Sequence, residues 1–346
     1  MFTDRTSNYF GSSAVNPSLL FSQGILAHPD YQDLCPDVVI HIGEISGDYP
    51  TLRQLQGKCE VWRVNKDGEL RDLLWGLTTV FEMPEKAFFG HYCGAAMPRQ
   101  FFEKWNAVDA AIRKNLPDVQ FSNLWIAYQL SGRLPPSSQI HFGILNCLRS
   151  WNMFKSEGII SFCNVGGFGI DGCVSSLIGA SLINRKKPYF GVFGDLAFFY
   201  DLNSMGSRHI GNNLRILVVN NGMGVEFANP GSIGDRIGDG VIDYISAGRH
   251  FGRQSHDLLR HMAVDLGFRY LSASGKDEFN SVRDEFLSME SEKPILLECF
   301  VDPADDASAL TAYRNIDNYV PPRTIRSTLG RMLPSNIKSV IRRVGL

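Results

Sequence analysis

The stretch GDLAFFYDLNSMGSRHIGNNLRILVVNNGMG (residues 194–224) decides the expected fold. It begins where the apolar run PYFGVFGD (188–195) ends, continues with a segment that predicts a helix over about 197–210, and closes with a second apolar run, LRILVVNN (214–221). Apolar runs of this length on either side of a helix are typical of parallel strands buried on both faces. Because ligands bind at the carboxyl ends of such strands, the polar residues there are candidates for a site.

The same alternation of strands and helices extends in both directions along the chain. Later and earlier apolar runs predict further strands, at 36–44, 58–65, 77–83, 139–145, 158–165, 268–274 and 294–302. A chain of 346 residues exceeds the usual size of one hydrophobic core, so two domains are expected. We predict an α/β fold with two Rossmann-like parallel-sheet domains, over 1–115 (incomplete at its start) and 120–305, followed by a tail over 306–346.

Composition narrows the class of protein. Apolar residues make up 44% of the chain and charged residues 20%, with a formal net charge of -2, so a globular protein without a basic field for nucleic acid is expected. The seven cysteines are scattered and form no C-x-x-C pair, which favours reduced thiols. The sequence has neither a signal-peptide pattern at its start nor 18 consecutive apolar residues, and we therefore predict a cytoplasmic protein.

The two strand ends in the opening stretch carry oxygen donors. Asp195 supplies a carboxylate, Asn221 supplies an amide oxygen, and the turn through Met223 supplies a backbone carbonyl. Mg²⁺ and Ca²⁺ both accept such hard ligands. The N–H groups at the start of the helix after Asp195 favour a diphosphate at the same place, although Asp195 taken alone could equally be a helix N-cap.

These residues resemble the diphosphate-binding motif of the thiamine diphosphate (ThDP) enzymes, which is Gly-Asp-Gly followed some two dozen residues later by Asn-Asn. Here 25 residues separate Asp195 from Asn221. Leu196 stands where most members have glycine. The segment GDLAFFYDLN is similar instead to the Gly-Asp-Leu and Tyr-Asp-Leu-Asn of one branch, the 2-succinyl-5-enolpyruvyl-6-hydroxy-3-cyclohexene-1-carboxylate synthases of the menaquinone pathway.

A second segment, NVGGFGIDG (164–172), resembles that branch's Asn-Arg-Gly-x-x-Gly-Ile-Asp-Gly. The resemblance implies that Ile170 supports ThDP in its bent form and that Gly169 lets the backbone approach the cofactor. It also implies a ThDP diphosphate-binding fold for the second domain and a central-type domain for the first. Mg²⁺ would be bound by Asp195, Asn221 and Met223, and the cofactor would also contact Gly194, Leu196 and Ala197.

The resemblance implies an enzyme that decarboxylates a 2-oxo acid, with protonation of the resulting aldehyde unit or its transfer to an acceptor. ThDP enzymes also need a pyrimidine-binding domain carrying an activating glutamate, and no such domain is recognised in this chain. We therefore expect that this chain carries half of an active site, and that a separate pyrimidine-domain polypeptide or a missing N-terminal region completes it. We also expect a homo-oligomer. The catalytic residue of this chain stays unknown.

The substrate residues depart from the branch. Val165 and Trp151 stand where the resemblance would put two arginines, and arginine recognises carboxylates with two parallel hydrogen bonds. Their loss argues against the same multiply carboxylated substrates, although Arg149 could compensate. Asn164, Arg149 and Phe227 are the candidate substrate contacts.

Two alternatives stay open. The absence of a recognised glutamate domain also fits a non-catalytic ThDP- or nucleotide-binding scaffold or regulatory subunit. The tail at 321–346 carries six Lys and Arg and no acid, with apolar residues at helical spacing. It predicts a basic amphipathic helix that docks on this protein or contacts an anionic membrane surface.

Overall fold

The computed structural model describes residues 1–43, 46–92, 99–155, 158–227, 232–237, 242–248 and 255–316. Within them the chain forms two parallel sheets, of three and six strands, with helices between successive strands. The predicted α/β class with parallel sheets is therefore confirmed. The predicted basic helix of the tail, at 321–346, lies outside the described residues.

The first 35 residues form short turns of helix that the sequence pattern did not predict. One α-helix, α1 (Ser18–Ser22), lies among the 3-10 turns Arg5–Ser7, Ile25–Ala27 and Pro29–Leu34. The apolar side chains of α1 are almost fully buried. This segment therefore contributes to the core as well as connecting elements.

The smaller sheet contains three parallel strands in sequence order, β1 (Val38–Ile42), β2 (Glu60–Asn65) and β3 (Leu77–Glu82). The helix α2 (Tyr49–Leu52) and a 3-10 turn connect β1 to β2, and α3 (Glu85–Gly90) follows β3. These are the three strands expected from the apolar runs of this region.

Two helices lead into the larger sheet. The first, α4 (Gln100–Arg113), buries Trp105 and Ile112, and the second, α5 (Asn123–Ser131), begins where the Ser122 hydroxyl accepts a hydrogen bond from the Trp125 N–H. The apolar residues in 101–116 and 122–134 recur at the spacing expected of these two helices.

The larger sheet contains six parallel strands in the order β5-β4-β6-β7-β9-β8. Each of the six lies within an apolar run that predicted a strand. Their bounds are β4 (Gln139–Phe142), β5 (Ile160–Cys163), β6 (Tyr189–Gly194), β7 (Leu214–Asn220), β8 (Arg269–Ala273) and β9 (Ile295–Phe300).

Helices cover both faces of this sheet. Those between its strands are α6 (Asn146–Asn152), α7 (Cys173–Ser181), α8 (Asp195–Tyr200), α9 (Ile233–Ile237), α10 (Ile242–Ile245), α11 (Leu258–Asp265) and α12 (Lys276–Leu287), and α13 (Pro303–Tyr313) follows β9. The last helix crosses the boundary expected at residue 305, and its inner side chains Ala309, Leu310 and Tyr313 are buried.

The larger apolar cluster is shared by both sheets. It joins Val61 of β2 and Trp105 of α4 to Ile140 of β4 and Leu297 of β9, while a smaller cluster covers the other face of the six-stranded sheet. Every residue of β7 is buried. The middle of this sheet is therefore a rigid frame for whatever its strand ends carry.

None of the helices in the described part of the chain is both long enough and apolar enough to cross a bilayer. Six of the seven cysteines lie within the described residues, and all six are free thiols. Burial raises the pKa of the thiol in five of these, to about 12 at Cys163 and about 11 at Cys173; the others are Cys59, Cys147 and Cys299.

Candidate functional site

The ends of β6 and β7 lie side by side. The two strands pair in parallel, with Gly194 opposite Val219, so that Asp195 and Asn220 follow at the same edge of the sheet. Neighbouring strands are about 4.8 Å apart. The sequence prediction that these two polar ends meet is supported by this register.

Asp195 is the first residue of α8 and is only 2% exposed. The N-cap position belongs to Gly194, whose backbone is extended, so the alternative use of Asp195 as an N-cap is not what forms. The helix starts two residues earlier than expected and becomes a 3-10 turn at Leu202–Gly206. Leu196 and Ala197 therefore lie in its first turn with Asp195.

Asn221 follows β7 and is also buried. Its amide nitrogen donates to the Asp306 carboxylate at 3.3 Å, and its amide oxygen accepts a 3.4 Å hydrogen bond from the Met223 N–H. Gly222 has a φ of +74°, which favours glycine, and turns the chain back. The amide oxygen of Asn221 and the backbone of Met223 therefore lie on the same side of this turn.

The neighbouring Asn220 has a different role. Its amide nitrogen donates to Glu298 of β9 at 2.7 Å, and the Tyr270 hydroxyl of β8 donates to the other oxygen of Glu298, also at 2.7 Å. Glu298 is 1% exposed, and burial raises the pKa of its carboxyl. This buried network links three strands, and sequence reasoning missed Glu298 because it lies inside an apolar run.

The turn after β7 packs against α8. A methyl group placed at Gly224 would lie 3.6 Å from the Cδ1 of Leu196 and 3.4 Å from the Cδ2 of Phe227. The N–H of Gly224 also donates to the Ser246 carbonyl at 2.6 Å. The structure thus brings together Leu196, Met223 and Phe227, three of the predicted site residues.

The glycine-rich segment 164–172 connects β5 to α7. Asn164 donates to the Asp171 carbonyl at 3.2 Å, and Gly172 is the left-handed N-cap of α7. Gly169 and Ile170 are half-buried on this segment. Since β4 lies between β5 and β6, the segment starts two strands away from Asp195.

Asp201 connects this segment to the opening motif. One oxygen of its carboxylate accepts hydrogen bonds from the Ser175 N–H at 2.7 Å and from the Ser175 hydroxyl at 2.9 Å, in the first turn of α7. Asp201 therefore fixes α7 relative to the residues after α8. This contact supports a structural role for the YDLN part of the motif.

Arg149 lies on α6 and is 3% exposed. Its Nη1 forms an ion pair with the Glu226 Oε2 at 2.5 Å, and Glu226 belongs to the 3-10 turn Val225–Phe227 directly after Met223. The candidate substrate arginine thus reaches the turn of the predicted metal site. The sequence could not show that it already holds a carboxylate there, since 77 positions separate the two residues.

Trp151 and Val165, which stand where the resemblance would put arginines, lie in different surroundings. Trp151 is fully buried, with its ring centroid 5.4 Å from that of Phe142 and the guanidinium of Arg5 at 5.4 Å. Val165 is half-buried beside Gly47. Trp151 is a core residue, which leaves Arg149 as the arginine of α6.

In the described ranges, no three His, Cys, Asp or Glu side chains are grouped so that they could hold a metal ion. The predicted metal site has a different composition, because it combines one carboxylate, one amide oxygen and one backbone carbonyl. Those three donors belong to two neighbouring strand ends.

Comparison with curated proteins gives consistent names. The chain is 29% identical over 290 residues to a 2-succinyl-5-enolpyruvyl-6-hydroxy-3-cyclohexene-1-carboxylate synthase of Phocaeicola vulgatus, which covers 82% of this chain and 50% of that protein. It is 32% identical over 202 residues to the synthase of Christiangramia forsetii (58% and 33%), and 26% identical over 330 residues to that of Flavobacterium johnsoniae (90% and 56%). No family model matches the chain.

The chain spans about half the length of the curated relatives it matches. All of these relatives are named as enzymes, and all carry the same synthase name. For three of these relatives the similarity extends over 76–90% of this chain. The resemblance of this chain to the 2-succinyl-5-enolpyruvyl-6-hydroxy-3-cyclohexene-1-carboxylate synthase branch of the ThDP enzymes is therefore confirmed.

Proposed function

We propose that this chain provides the diphosphate- and metal-binding half of a ThDP- and Mg²⁺-dependent enzyme that decarboxylates a 2-oxo acid. The aldehyde unit is then protonated or transferred to an acceptor. The observation that carries the proposal is the pairing of β6 with β7, which puts Asp195 and the turn through Asn221 at one edge of the sheet. The named relatives support the same class of enzyme.

The donor set fits Mg²⁺. Asp195 would provide a carboxylate oxygen, Asn221 an amide oxygen and Met223 a carbonyl oxygen, and the diphosphate and water would fill the remaining positions of an octahedron. Burial of Asp195 and Asn221 excludes bulk water from these oxygens, which strengthens their attraction for a cation. Asp195 lies in the first turn of α8, and Asn221 follows β7 directly and is held by its hydrogen bond to Asp306.

The cofactor would bind along the same edge. Gly194, Leu196 and Ala197 belong to the turn from β6 into α8 and would surround the diphosphate, while Gly169 and Ile170 would contact the rest of ThDP. When bound, ThDP accepts the electrons released as CO₂ leaves the 2-oxo acid. The residues of this chain anchor the cofactor, and Asn164, Arg149 and Phe227 are the proposed contacts for the substrate.

A complete site needs a pyrimidine-binding domain with its activating glutamate. We propose that another polypeptide or another part of a longer chain provides it, in an oligomer. Under this proposal residues 1–115 form a central-type domain, 120–305 form the diphosphate-binding domain, and 306–346 form a C-terminal extension.

Titration of ThDP into the chain, with Mg²⁺ present, tests the proposal. Asp195→Ala and Asn221→Ala remove two proposed metal ligands, so each should weaken ThDP binding by at least about tenfold. Asn220→Ala is the matched control, because Asn220 binds Glu298 and not the metal. It should lower stability but leave ThDP affinity within about threefold of the wild type.

Unchanged ThDP affinity in Asp195→Ala would refute the proposed site. A turnover assay with pyruvate or 2-oxoglutarate, with and without a pyrimidine-domain polypeptide, then separates an enzyme from a scaffold. CO₂ release that requires the second polypeptide supports a split enzyme. ThDP binding without turnover in the completed assembly supports the non-catalytic alternative.

A further inference from the structure

We propose that Glu226 determines substrate specificity by occupying Arg149, so that the site takes a 2-oxo acid with an uncharged side chain and rejects one with a second carboxylate. This inference rests on the proposed function, since it names the substrate class of the same site. Arg149 then holds Glu226 and does not bind a second carboxylate of the substrate.

The ion pair is close and mostly removed from water. The Nη1 of Arg149 lies 2.5 Å from the Oε2 of Glu226, and the exposed fractions of the two side chains are 3% and 21%. Charges in such surroundings are screened less by water and salt than surface charges are. Glu226 is therefore a strong internal competitor for any carboxylate that approaches Arg149.

Regular structure fixes both partners. The N–H of Arg149 donates to the Leu145 carbonyl in the first turn of α6, and its neighbours Leu148 and Trp151 are buried in the core. Glu226 lies in a 3-10 turn whose Phe227 N–H donates to the Gly224 carbonyl. The backbones that carry the two side chains are therefore fixed by their own elements.

Among the described residues, the charged groups around the pair are one further cation and one further carboxyl group. Arg314 at the end of α13 and Asp48 after β1 both interact electrostatically with this region, and they line a cavity of about 150 Å³ together with Arg149. Asp48 accepts hydrogen bonds from the hydroxyls of Ser18 and Thr51 and from the amide of Asn152. Two cations thus face two carboxyl groups, and a further carboxylate would meet Asp48 and Glu226.

The equal number of positive and negative groups around Arg149 determines which substrates can bind. A dicarboxylic 2-oxo acid would have to break the Arg149–Glu226 pair and leave its second carboxylate beside Glu226, and like charges in a partly buried site repel strongly. A 2-oxo acid with an alkyl or hydroxyalkyl side chain breaks no ion pair. Discrimination therefore comes from a repulsive group as well as from the loss of attraction.

The test compares two probes of equal chain length, 2-oxopentanoate and 2-oxoglutarate. Each is titrated calorimetrically into the chain with ThDP and Mg²⁺ present, and the ratio of the two Kd values is measured for wild type and for Glu226→Gln. We expect the wild type to bind 2-oxopentanoate more tightly, and the ratio to shift by at least about tenfold toward 2-oxoglutarate in Glu226→Gln.

Two further variants control for folding and for the partner. Glu226→Asp keeps the carboxylate and should keep the wild-type preference. Arg149→Met with Glu226→Gln removes both charges and should abolish the gain for 2-oxoglutarate. Thermal melting of each variant identifies a fold that has been lost; if Glu226→Gln does not fold, Glu226→Ala, which also removes the carboxylate, takes its place in the comparison with the wild type.

A shift of less than about threefold between wild type and Glu226→Gln would overturn the proposal, as would no binding of either probe by both proteins. The titration of ThDP itself, done on the same samples, reports separately on the proposed function. Normal ThDP binding with an unchanged ratio rejects only the role of Glu226.

Discussion

Asn220 and Asn221 are adjacent in the sequence, yet their amides have different partners. Asn220 points into the sheet and binds Glu298, whereas Asn221 binds Asp306 and presents its oxygen to the turn. The carboxylate of Asp306 accepts hydrogen bonds only, so it selects the nitrogen end of the Asn221 amide. Asp306 therefore positions a proposed metal ligand without being one.

Asp306→Asn tests this positioning role. The new amide can donate to Asn221, which would then turn its nitrogen toward the metal and its oxygen away. We expect Mg²⁺-dependent ThDP affinity to fall by about tenfold, the usual effect of losing a partner that orients a ligand. Calorimetric titration measures this loss, and Asp305→Asn, on the same helix, should leave the affinity unchanged.

The same residue predicts a pH dependence of stability. Full burial raises the pKa of Asp306 from 3.8 to about 6, while hydrogen bonds from Asn123 and Asn221 act in the opposite direction. The folded protein therefore binds this proton more tightly than the unfolded chain does. The stabilising contribution is complete below pH 3.8 and is lost as the pH rises through about 6.

Asp306→Asn should flatten the fall in unfolding free energy between pH 4 and 6, and urea titrations at several pH values measure it. A slope equal to that of the wild type would show that other buried carboxyl groups, such as Asp48 and Glu298, cause the dependence.

At the residue scale, the sequence could predict which side chains lie at strand ends but not their partners. Asp195 and Asn221 were identifiable because glycine and polar residues follow apolar runs. The partners Asp306, Glu298 and Glu226 could not be found, since each lies far away in the chain and none belongs to a local pattern. Side-chain pairing of this kind is decided by tertiary packing.

At the scale of the elements, the backbone of the edge strand β5 forms hydrogen bonds with a side chain, that of Asn8. The side chain of Asn8 accepts a 2.7 Å hydrogen bond from the Ser161 N–H and donates a 3.0 Å hydrogen bond to the Ser161 carbonyl. It thereby satisfies the backbone of the edge strand as a neighbouring strand would. Edge strands left open are sites of unwanted pairing between chains.

Asn8→Gly tests the importance of this cover. Asn8 has a φ of +53°, so glycine accepts the backbone without strain. The change removes the two hydrogen bonds to Ser161 and a third, from the Asn8 amide to the Thr6 carbonyl at 3.2 Å. The free energy of unfolding should fall by about 1–2 kcal/mol, as measured by urea denaturation. The exposed Asn115→Gly, in the turn after α4, is the control for the change from asparagine to glycine at a turn. A loss below roughly 0.5 kcal/mol in Asn8→Gly would contradict the role.

The strands were predicted well because apolar runs that end in glycine, proline or asparagine rarely form any structure other than a buried strand. Two expectations failed at the element scale. The helix predicted over about 197–210 is instead α8 with a 3-10 turn, since Gly194 caps it early and Asp201 binds α7. The turns before residue 35 and α6 were missed because their stability comes from contacts with other parts of the chain.

Over the whole molecule, Asn152 connects three regions. Its amide nitrogen donates to Asp48 after β1 and to Ser18 of α1, and its amide oxygen accepts from the Arg5 N–H. The carbonyl of Asn152 also accepts from Asn16. The N-terminal segment, the small sheet and the large sheet are thus held together at one side chain on α6.

Asn152→Ala should therefore destabilise the molecule more than an ordinary polar substitution. It removes three buried hydrogen bonds, with Asp48, Ser18 and the Arg5 N–H, and each lost hydrogen bond of this kind costs about 1–3 kcal/mol. We expect a loss of about 3 kcal/mol in urea denaturation. Asn280→Ala, an exposed asparagine on α12, should change stability by less than about 0.5 kcal/mol, and similar values for both would refute the connecting role.

The turn after β7 has a chemical consequence for the lifetime of the protein. Asn221 precedes Gly222, and asparagine before glycine is the pair most prone to lose its amide by cyclising onto the next backbone nitrogen. Burial and the Asp306 hydrogen bond keep the amide carbon from reaching that nitrogen while the chain is folded. Loss of the amide at Asn221 should therefore increase with the time that the chain spends unfolded. Each such event would convert a proposed neutral metal ligand into a second carboxylate beside Asp195.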